Sequence, residues 1–416
     1  MKQRIIIIGG GAAGFFAAIS CAEQNTGAEI IILEKSTKIL QKVKVSGGGR
    51  CNVTHACFEP KELTTFYPRG SKELLGPFHQ FMTGDTMQWF EDRGVPLKIE
   101  ADNRVFPISN SSQSIIDVLL EETQKNKIEL KLSHRVEDIQ KENETWKIIT
   151  NNEEYIADKL LIASGSNTRI WNIISNLGHT IIPPVPSLFT FKINDVRIKE
   201  IPGISVPNAS VSIVNSPFES SGPLLITHWG ISGPAVLKLS AFGARFLAEK
   251  NYQYNVKVNW LSKKVSTVVN KLKILKKENP KKLIILKSVF KDIPKRLWEN
   301  LVLVSEIKQD QRWSDLSNKQ LENLSNQLTN TIFNANGKTT FKEEFVTAGG
   351  IELKEINFKR FESKIHKNLF FAGEVLNIDA VTGGFNFQNA WTGGYIAGKA
   401  MSSPQPLSKG EGLKSN

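Results

Sequence analysis

The run Ile5-Ile6-Ile7-Ile8-Gly9-Gly10-Gly11-Ala12-Ala13-Gly14 constrains the fold of this chain more than any other stretch. Four β-branched residues in succession read as a strand buried on both faces, the mark of a parallel sheet. The glycines follow as Gly9-x-Gly11-x-x-Gly14, and Ala17-Ala18-Ile19 continues at helical spacing. A second apolar run, Ile30-Ile31-Ile32-Leu33, ends at Glu34, twenty positions beyond Gly14. Together these make a βαβ unit with a dinucleotide fingerprint. Gly9 suits the tight turn, Gly11 lets the backbone approach a pyrophosphate, and Gly14 lets helix and strand pack closely. The helix N-terminus faces the phosphates. A carboxylate at Glu34 accepts from an adenosine ribose and repels a 2′-phosphate, so the first nucleotide is FAD or NAD rather than NADP. The rival reading is a secretion signal, with Lys2 and Arg4 ahead of an apolar core and a cleavage site near Cys21. It leaves the second strand and Glu34 unexplained.

The 416 residues are 40% hydrophobic and 23% charged, a globular composition sufficient for two or three domains. No apolar run reaches the roughly 18 residues that a membrane span requires. Cys21, Cys51 and Cys57 are too few for a disulfide framework, which points to a reducing cytoplasm. The net charge of +12 is concentrated. Residues 250 to 300 carry 14 Lys or Arg against 3 Asp or Glu, a balance of +11 that leaves about +1 for the rest. Any polyanion argument therefore concerns one segment.

Residues 1–186 read as alternating strands and helices, with strands at 128–132, 146–150 and 159–163. Pro183-Pro184-Val185-Pro186 marks a boundary, since proline cannot donate to a ladder. Short β-rich pieces follow at 188–193, 209–214 and 252–260. Residues 263–327 read as helical and Lys- and Leu-rich, broken at Pro280 and Pro294. Strand-like alternation returns from Thr329 to Phe345. Leu369 to Gly373 is another buried strand, and Asn389 to Met401 a last helix. A final strand and helix cannot form a domain alone. The expected α/β architecture is thus a nucleotide domain (1–186 and 345–401) interrupted by a β-rich insertion (187–262 and 313–344). That insertion carries a basic helical subdomain (263–312), and the tail 402–416 is expected to be disordered.

Three further segments carry chemistry. In Ser46-Gly47-Gly48-Gly49-Arg50-Cys51-Asn52, main chain can pass against a flat ligand while Arg50 offers a cationic fork. Leu160 to Gly165 is a strand ending in small residues, Ser164 and Gly165, suited to a second approach to the nucleotide. Leu369-Phe370-Phe371-Ala372-Gly373-Glu374 places a carboxylate after a buried strand, where it suits a ribityl hydroxyl. Gly383-Gly384-Phe385-Asn386 then opens a helix whose N-terminus suits the electron-rich edge of a flavin. The expected cofactor set is Gly9, Gly11, Ala13, Gly14, Glu34, Lys35, Gly49, Arg50, Cys51, Asn52, Val136, Ser164, Gly165, Gly373, Glu374, Gly383, Gly384, Phe385 and Asn386. No metal is expected.

These segments resemble a family of bacterial flavoproteins related to aminoacetone oxidases and bile-acid-type enone reductases. The resemblance spans nearly the whole chain and is most specific in the GGGRCN string and in His228-Trp229-Gly230-Ile231-Ser232-Gly233-Pro234. It implies non-covalent FAD, a Rossmann-type FAD-binding domain, an inserted β-barrel and a small helical domain. Asn377 departs from it, because relatives commonly have Asp there. Within it, His228 is the candidate acid or substrate anchor, and Thr347, in Thr347-Ala348-Gly349-Gly350-Ile351, a candidate substrate contact. The expected activity is an FAD-dependent oxidoreductase, reduced by NAD(P)H and reoxidised by an activated alkene or oxygen. The alternatives are a tRNA-modifying flavoprotein and a non-enzymatic flavin-binding protein. A redox disulfide is the rival for Cys51 and Cys57, but five residues separate them and a second GxGxxG is absent. Nucleic acid is the rival partner for residues 250–300. The segment lacks the regular aromatic interleaving that stacks bases. A small-molecule substrate and no membrane complete the expectation.

Overall fold

Residues 5–8 lie in the middle of a parallel sheet in the computed structural model, which describes residues 2–25, 27–339 and 346–403. The strand β1 (Arg4–Ile8) leads into the helix α1 (Ala12–Gln24) and returns through β2 (Glu29–Leu33). β1 pairs in parallel with β2 on one side and with Lys159–Ile162 on the other, Ile8 standing opposite Leu33 and Ile162. Leu369–Phe371 adds a further parallel strand beside Lys159–Ile162, and Glu129–Lys131 pairs with the far side of β2. Short antiparallel strands at Ile356–Asn357 and Glu362–Ser363 finish one edge. The isoleucines of β1 are essentially unexposed, as burial on both faces requires.

The chain divides into two units, Met1–Pro184 with Gly349–Asn416, and Val185–Ala348. In the second, six strands close an antiparallel barrel in the order Thr190–Ile193, Gly230–Ser232, Glu219–Thr227, Ser205–Ile213, Gln253–Asn259 and Thr331–Thr339. Alternation along Gln253–Asn259 buries Tyr254, Val256 and Val258 and exposes the residues between them, the two-residue period of a strand with one wet face. The helices Val265–Glu278, Lys295–Leu303 and Asn318–Thr329 belong to the same unit. Their Leu272, Trp298, Leu301 and Leu324 share one buried cluster with the barrel's Val211, Val256 and Phe333.

The strand expected at 146–150 is present as Thr145–Thr150, the middle of an antiparallel meander between Val136–Glu142 and Glu154–Ala157. Three local expectations are corrected. The prolines at 183, 184 and 186 stand inside a strand, Ile181–Ser187, which among the described residues pairs only with Val346–Ile351. A two-stranded ladder is all edge, and an edge tolerates missing donors. The last helix runs Phe385–Ser402, beginning four residues before the apolar pattern does. The strands Glu219–Thr227 and Gly230–Ser232, absent from the sequence reading, are polar on one face. Residues 340–345 and 404–416, parts of the expected strand and of the tail, lie outside the described residues. Among the described residues, no helix is long and apolar enough to cross a membrane.

Candidate functional site

Three parallel strands end side by side in small residues: β1 at Gly9, Lys159–Ile162 at Ser164 and Gly165, and Leu369–Phe371 at Gly373, directly before Glu374. Ligands of open parallel sheets bind outside such carboxyl ends. The turn after β1 is fixed sterically. Gly9 has φ +116°, and a Cβ there would stand 2.4 Å from the Ala163 carbonyl oxygen. A Cβ on Gly14 would stand 2.0 Å from the Gly9 carbonyl oxygen, so both positions require glycine. Gly11 differs: nothing lies within 4 Å of where its Cβ would be. It is the N-cap of α1, whose first turn holds no acidic residue. The result is an open helix N-terminus with room for an anion.

Glu34 closes the other side of this turn. Its carboxylate accepts from the Gly10 amide at 2.8 Å and from the Ser36 amide at 2.9 Å. Each oxygen keeps lone pairs for a ribose diol. Beside it lies a cleft of about 150 Å³ that brings together the expected Gly9, Glu34, Lys35, Val136 and Ser164. His134, Arg135, Asn167 and Arg169 also line it and escaped the sequence reading. They follow strands or precede helices without any Gly-rich signal.

Gly165, Ala13 and Gly373 cluster about Glu374. A Cβ on Gly373 would stand 3.1 Å from that of Ala13, and one on Gly165 would stand 3.8 Å from a Glu374 carboxylate oxygen. Glu374 is ion-paired with Lys42, a partner that no motif announced.

The GGGRCN segment continues a helix, Gln41–Gly49, that kinks at Ser46–Gly48. Nothing lies within 4 Å of the Cβ positions of Gly48 and Gly49, which leaves main chain open to a flat ligand. Arg50 is already engaged. Its Nη1 donates to Glu100 at 2.7 Å, and its guanidinium lies 3.9 Å from the Phe106 ring centre. Cys51 is fully buried, and burial pushes its thiol up to about 12, so it stays protonated. Burial also raises Cys57, and all three cysteines are free and buried. Asn52 is buried, and its Oδ1 has no hydrogen-bond partner among the described residues. A buried acceptor left in that state invites a ligand donor.

Gly384 caps Phe385–Ser402 with φ +97°, and a Cβ there would stand 2.5 Å from Thr54 backbone atoms. The Phe385 ring is buried, stacking on Phe66 at 4.2 Å, while Tyr67 donates to the Phe385 carbonyl at 2.6 Å. Asn386 braces the loop ahead of the helix: its Oδ1 accepts from the Ala380 amide at 3.0 Å and its Nδ2 donates to the Ala380 carbonyl at 3.2 Å. The sequence places no histidine in this turn, but the fold supplies His55, whose Nδ1 lies 3.1 Å from the Gly383 carbonyl. Burial lowers the pKa of His55, against a smaller opposing effect of that carbonyl. Asn377, the departure noted above, donates its backbone N–H to the Ile351 carbonyl at 3.1 Å.

In the second unit, His228 and Trp229 form the exposed turn between Glu219–Thr227 and Gly230–Ser232. Ser232 accepts from the Thr190 hydroxyl at 2.9 Å. Thr347 is buried in Val346–Ile351. No group of His, Cys, Asp and Glu among the described residues could hold a metal ion.

A family model described as "HI0933-like protein Rossmann domain" matches residues 3–400. A 3-dehydro-bile acid delta(4,6)-reductase of Clostridium scindens is 27% identical over 96% of this chain and 98% of its own. A ribosomal RNA dihydrouridine synthase of Haemophilus influenzae is 28% identical over 95% of this chain and 98% of its own. One of Escherichia coli is 26% identical, covering 95% and 97%. Among solved structures, a 3-ketosteroid-delta4-(5alpha)-dehydrogenase of Rhodococcus jostii shares the fold, with a TM-score of 0.53, 12% identity and 97% coverage of each chain.

Proposed function

This chain belongs to the HI0933-like Rossmann-domain family and is an FAD-dependent oxidoreductase, and on that premise we propose that it reduces a carbon–carbon double bond conjugated to a carbonyl. The observation that carries the cofactor reading is the open cradle: room at Gly11, an unopposed helix N-terminus, and Glu34 fixed beside both. Gly9, Gly11, Ala13 and Gly14 would hold the pyrophosphate, and Glu34 with Lys35 the ribose. Val136, Ser164 and Gly165 would line the adenosine end, and Gly373 and Glu374 the ribityl chain. Gly49, Arg50, Cys51, Asn52, Gly383, Gly384, Phe385 and Asn386 would shape the ring site. There Arg50 and Asn386 act through the frame they brace. Bound FAD supplies the hydride equivalent; the protein supplies orientation and electrostatics. Residues 1–186 and 345–401 are the part we assign to FAD, and three free thiols fit a reducing cytoplasm.

The relatives' names support the acceptor. A delta(4,6)-reductase of a 3-oxo compound and a synthase of dihydrouridine both saturate an alkene conjugated to a carbonyl. Such a reaction needs a proton at the carbon next to the carbonyl. His228, with an exposed imidazole, is our candidate donor, and Thr347 our candidate substrate contact. NAD(P)H is the electron donor we infer, with oxygen as a slower acceptor. A second reading, in which the alkene is a uracil within RNA, is favoured by the lysine-rich face described below.

The test is stopped-flow reduction by NADH and NADPH, then mixing of the reduced protein with a 3-oxo-4-ene steroid or with unmodified ribosomal RNA. Reoxidation by either substrate without oxygen supports the proposal. Reoxidation by oxygen alone overturns it.

A further inference from the structure

We propose that the helix Val265–Glu278 and the segment that follows it form a docking surface for the phosphate backbone of RNA. The inference rests on the RNA reading above and is stated so that the two can fail separately.

The helix buries Val268 and Leu272 in the core of its unit. On another face Ser266, Asn270, Lys273 and Lys277 recur at helical spacing, all exposed. Past Pro280 come the exposed Lys281 and Lys282, and the exposed Lys263 and Lys264 precede the helix. None of these six lysines has an ion-pair partner among the described residues. The only acid in the helix is Glu278, at its C-terminal end.

The backbone beneath is held firmly. The Trp313 amide donates to the Lys282 carbonyl at 3.1 Å, and the Ser314 amide to the Pro280 carbonyl at 2.9 Å. Lys276 donates to the Leu316 carbonyl at 2.5 Å, and Lys271 lies over the Phe290 ring. Like charges at i,i+4, as at Lys273 and Lys277, destabilise a helix. A face that served solubility alone would gain from interspersed carboxylates, and this one has almost none. From Lys264 to Lys277 the face runs about 20 Å, the reach of several consecutive phosphates. A lipid surface fits less well, because the apolar face of the helix is turned into the core and Ile274 is its only strongly exposed apolar side chain.

The experiment uses the FAD-loaded full chain, an unmodified ribosomal RNA stem–loop transcribed in vitro, and filter binding from 50 to 200 mM salt. K273E/K277E/K281E/K282E is compared with a control of equal charge change, K61E/K72E/K127E/K367E, on exposed lysines of the other unit. Four phosphate contacts predict a roughly 10²-fold loss of wild-type affinity over that salt range. The first variant should bind at least tenfold more weakly at 50 mM, with a flatter salt dependence and unchanged FAD content. The control should stay within about threefold. Equal weakening of both variants, no weakening of the first, or wild-type binding to phosphatidylglycerol vesicles but not to RNA would each overturn the surface. Dihydrouridine in the RNA is measured separately. Binding lost in the first variant without uridine reduction by the wild type keeps the surface and removes the RNA reading. Uridine reduction undiminished in that variant does the reverse.

Discussion

The two units treat charge in opposite ways. In the nucleotide unit, cations meet carboxylates: Arg4 meets Glu29, Arg50 meets Glu100, Arg93 meets Glu23, Arg360 meets Glu362, and Arg69 meets the fully buried Asp379. In the barrel unit, Arg197 pairs with Asp195, Lys295 with Glu299 and Lys319 with Glu306, while the lysines of 263–282 have no ion pair among the described residues. Exposed pairs contribute little stability, about 0–1 kcal/mol each, so the contrast concerns use more than strength. Paired charges fix side chains where a cofactor needs dipoles already in place. Bare charges on a firm backbone keep their counterions and can exchange them for phosphates.

The sharpest test of the first half of the comparison is a pair of substitutions three residues apart. Gly11→Val puts its side chain into open space, so the apoprotein should keep its Tm while FAD is lost entirely. Gly14→Val drives a Cβ into the Gly9 carbonyl, so the fold itself should suffer, with Tm lower by roughly 2–12 °C for an overpacking cost of about 1–3 kcal/mol. Bound flavin measured by absorbance and Tm measured by calorimetry separate the two. Normal FAD occupancy in Gly11→Val would remove the assignment of residues 5–34.

Next in size is His228. If it donates the proton, His228→Asn should slow substrate-dependent reoxidation by roughly 10²-fold. Flavin reduction by the donor should change little. Equal slowing of both phases in stopped flow, or of neither, would take His228 out of the mechanism. Glu34→Ala should weaken FAD by roughly tenfold to a hundredfold, as expected for hydrogen bonds to a charged group of about 1.5–3 kcal/mol. Glu34→Gln, which keeps one acceptor, should weaken it less. Identical flavin release from both would mean that the carboxylate matters only to the turn.

What the chain announces depends on sequence distance. β1, α1, β2 and Glu34 sit within one stretch, and each residue type is forced by a local requirement, so that unit was readable. The barrel was readable as β-rich, but the strands flanking His228 were not, since their exposed faces are polar. The partners that engage expected site residues were invisible. Lys42 on Glu374, Glu100 on Arg50, and His55 at Gly383 are each brought in from a different segment, and pairing across a fold leaves no local period. Asn386 shows the converse: it stands in a site motif and braces its own loop.

The smallest expected effect tests whether acid sensitivity belongs to the paired unit alone. His179 is buried, its Nδ1 2.9 Å from Glu355 and its Nε2 2.9 Å from the Ser363 hydroxyl. His366 and Phe371 face the same ring. Burial pushes His179 below its ordinary 6.5, outweighing the bond to Glu355 that would raise it. Glu355 is held below its ordinary 4.5: burial would raise it, but the bonds from Thr180 and His179 outweigh that. The folded protein thus carries a neutral histidine donating to an ionised carboxylate. Between the lowered pKa and 6.5, the unfolded chain binds the proton that the folded one refuses. Stability therefore rises with pH through that window and is lost as pH falls below about 6.5. Glu355 adds its own loss only below about 4.5. His179→Gln should lower Tm at pH 7 by roughly 2–4 °C, the shift that about 1 kcal/mol produces in a domain of 150–250 residues. It should also flatten the dependence of Tm on pH between 7 and 5. A variant that loses stability on acidification as steeply as the wild type would show that this buried pair does not set the acid limb.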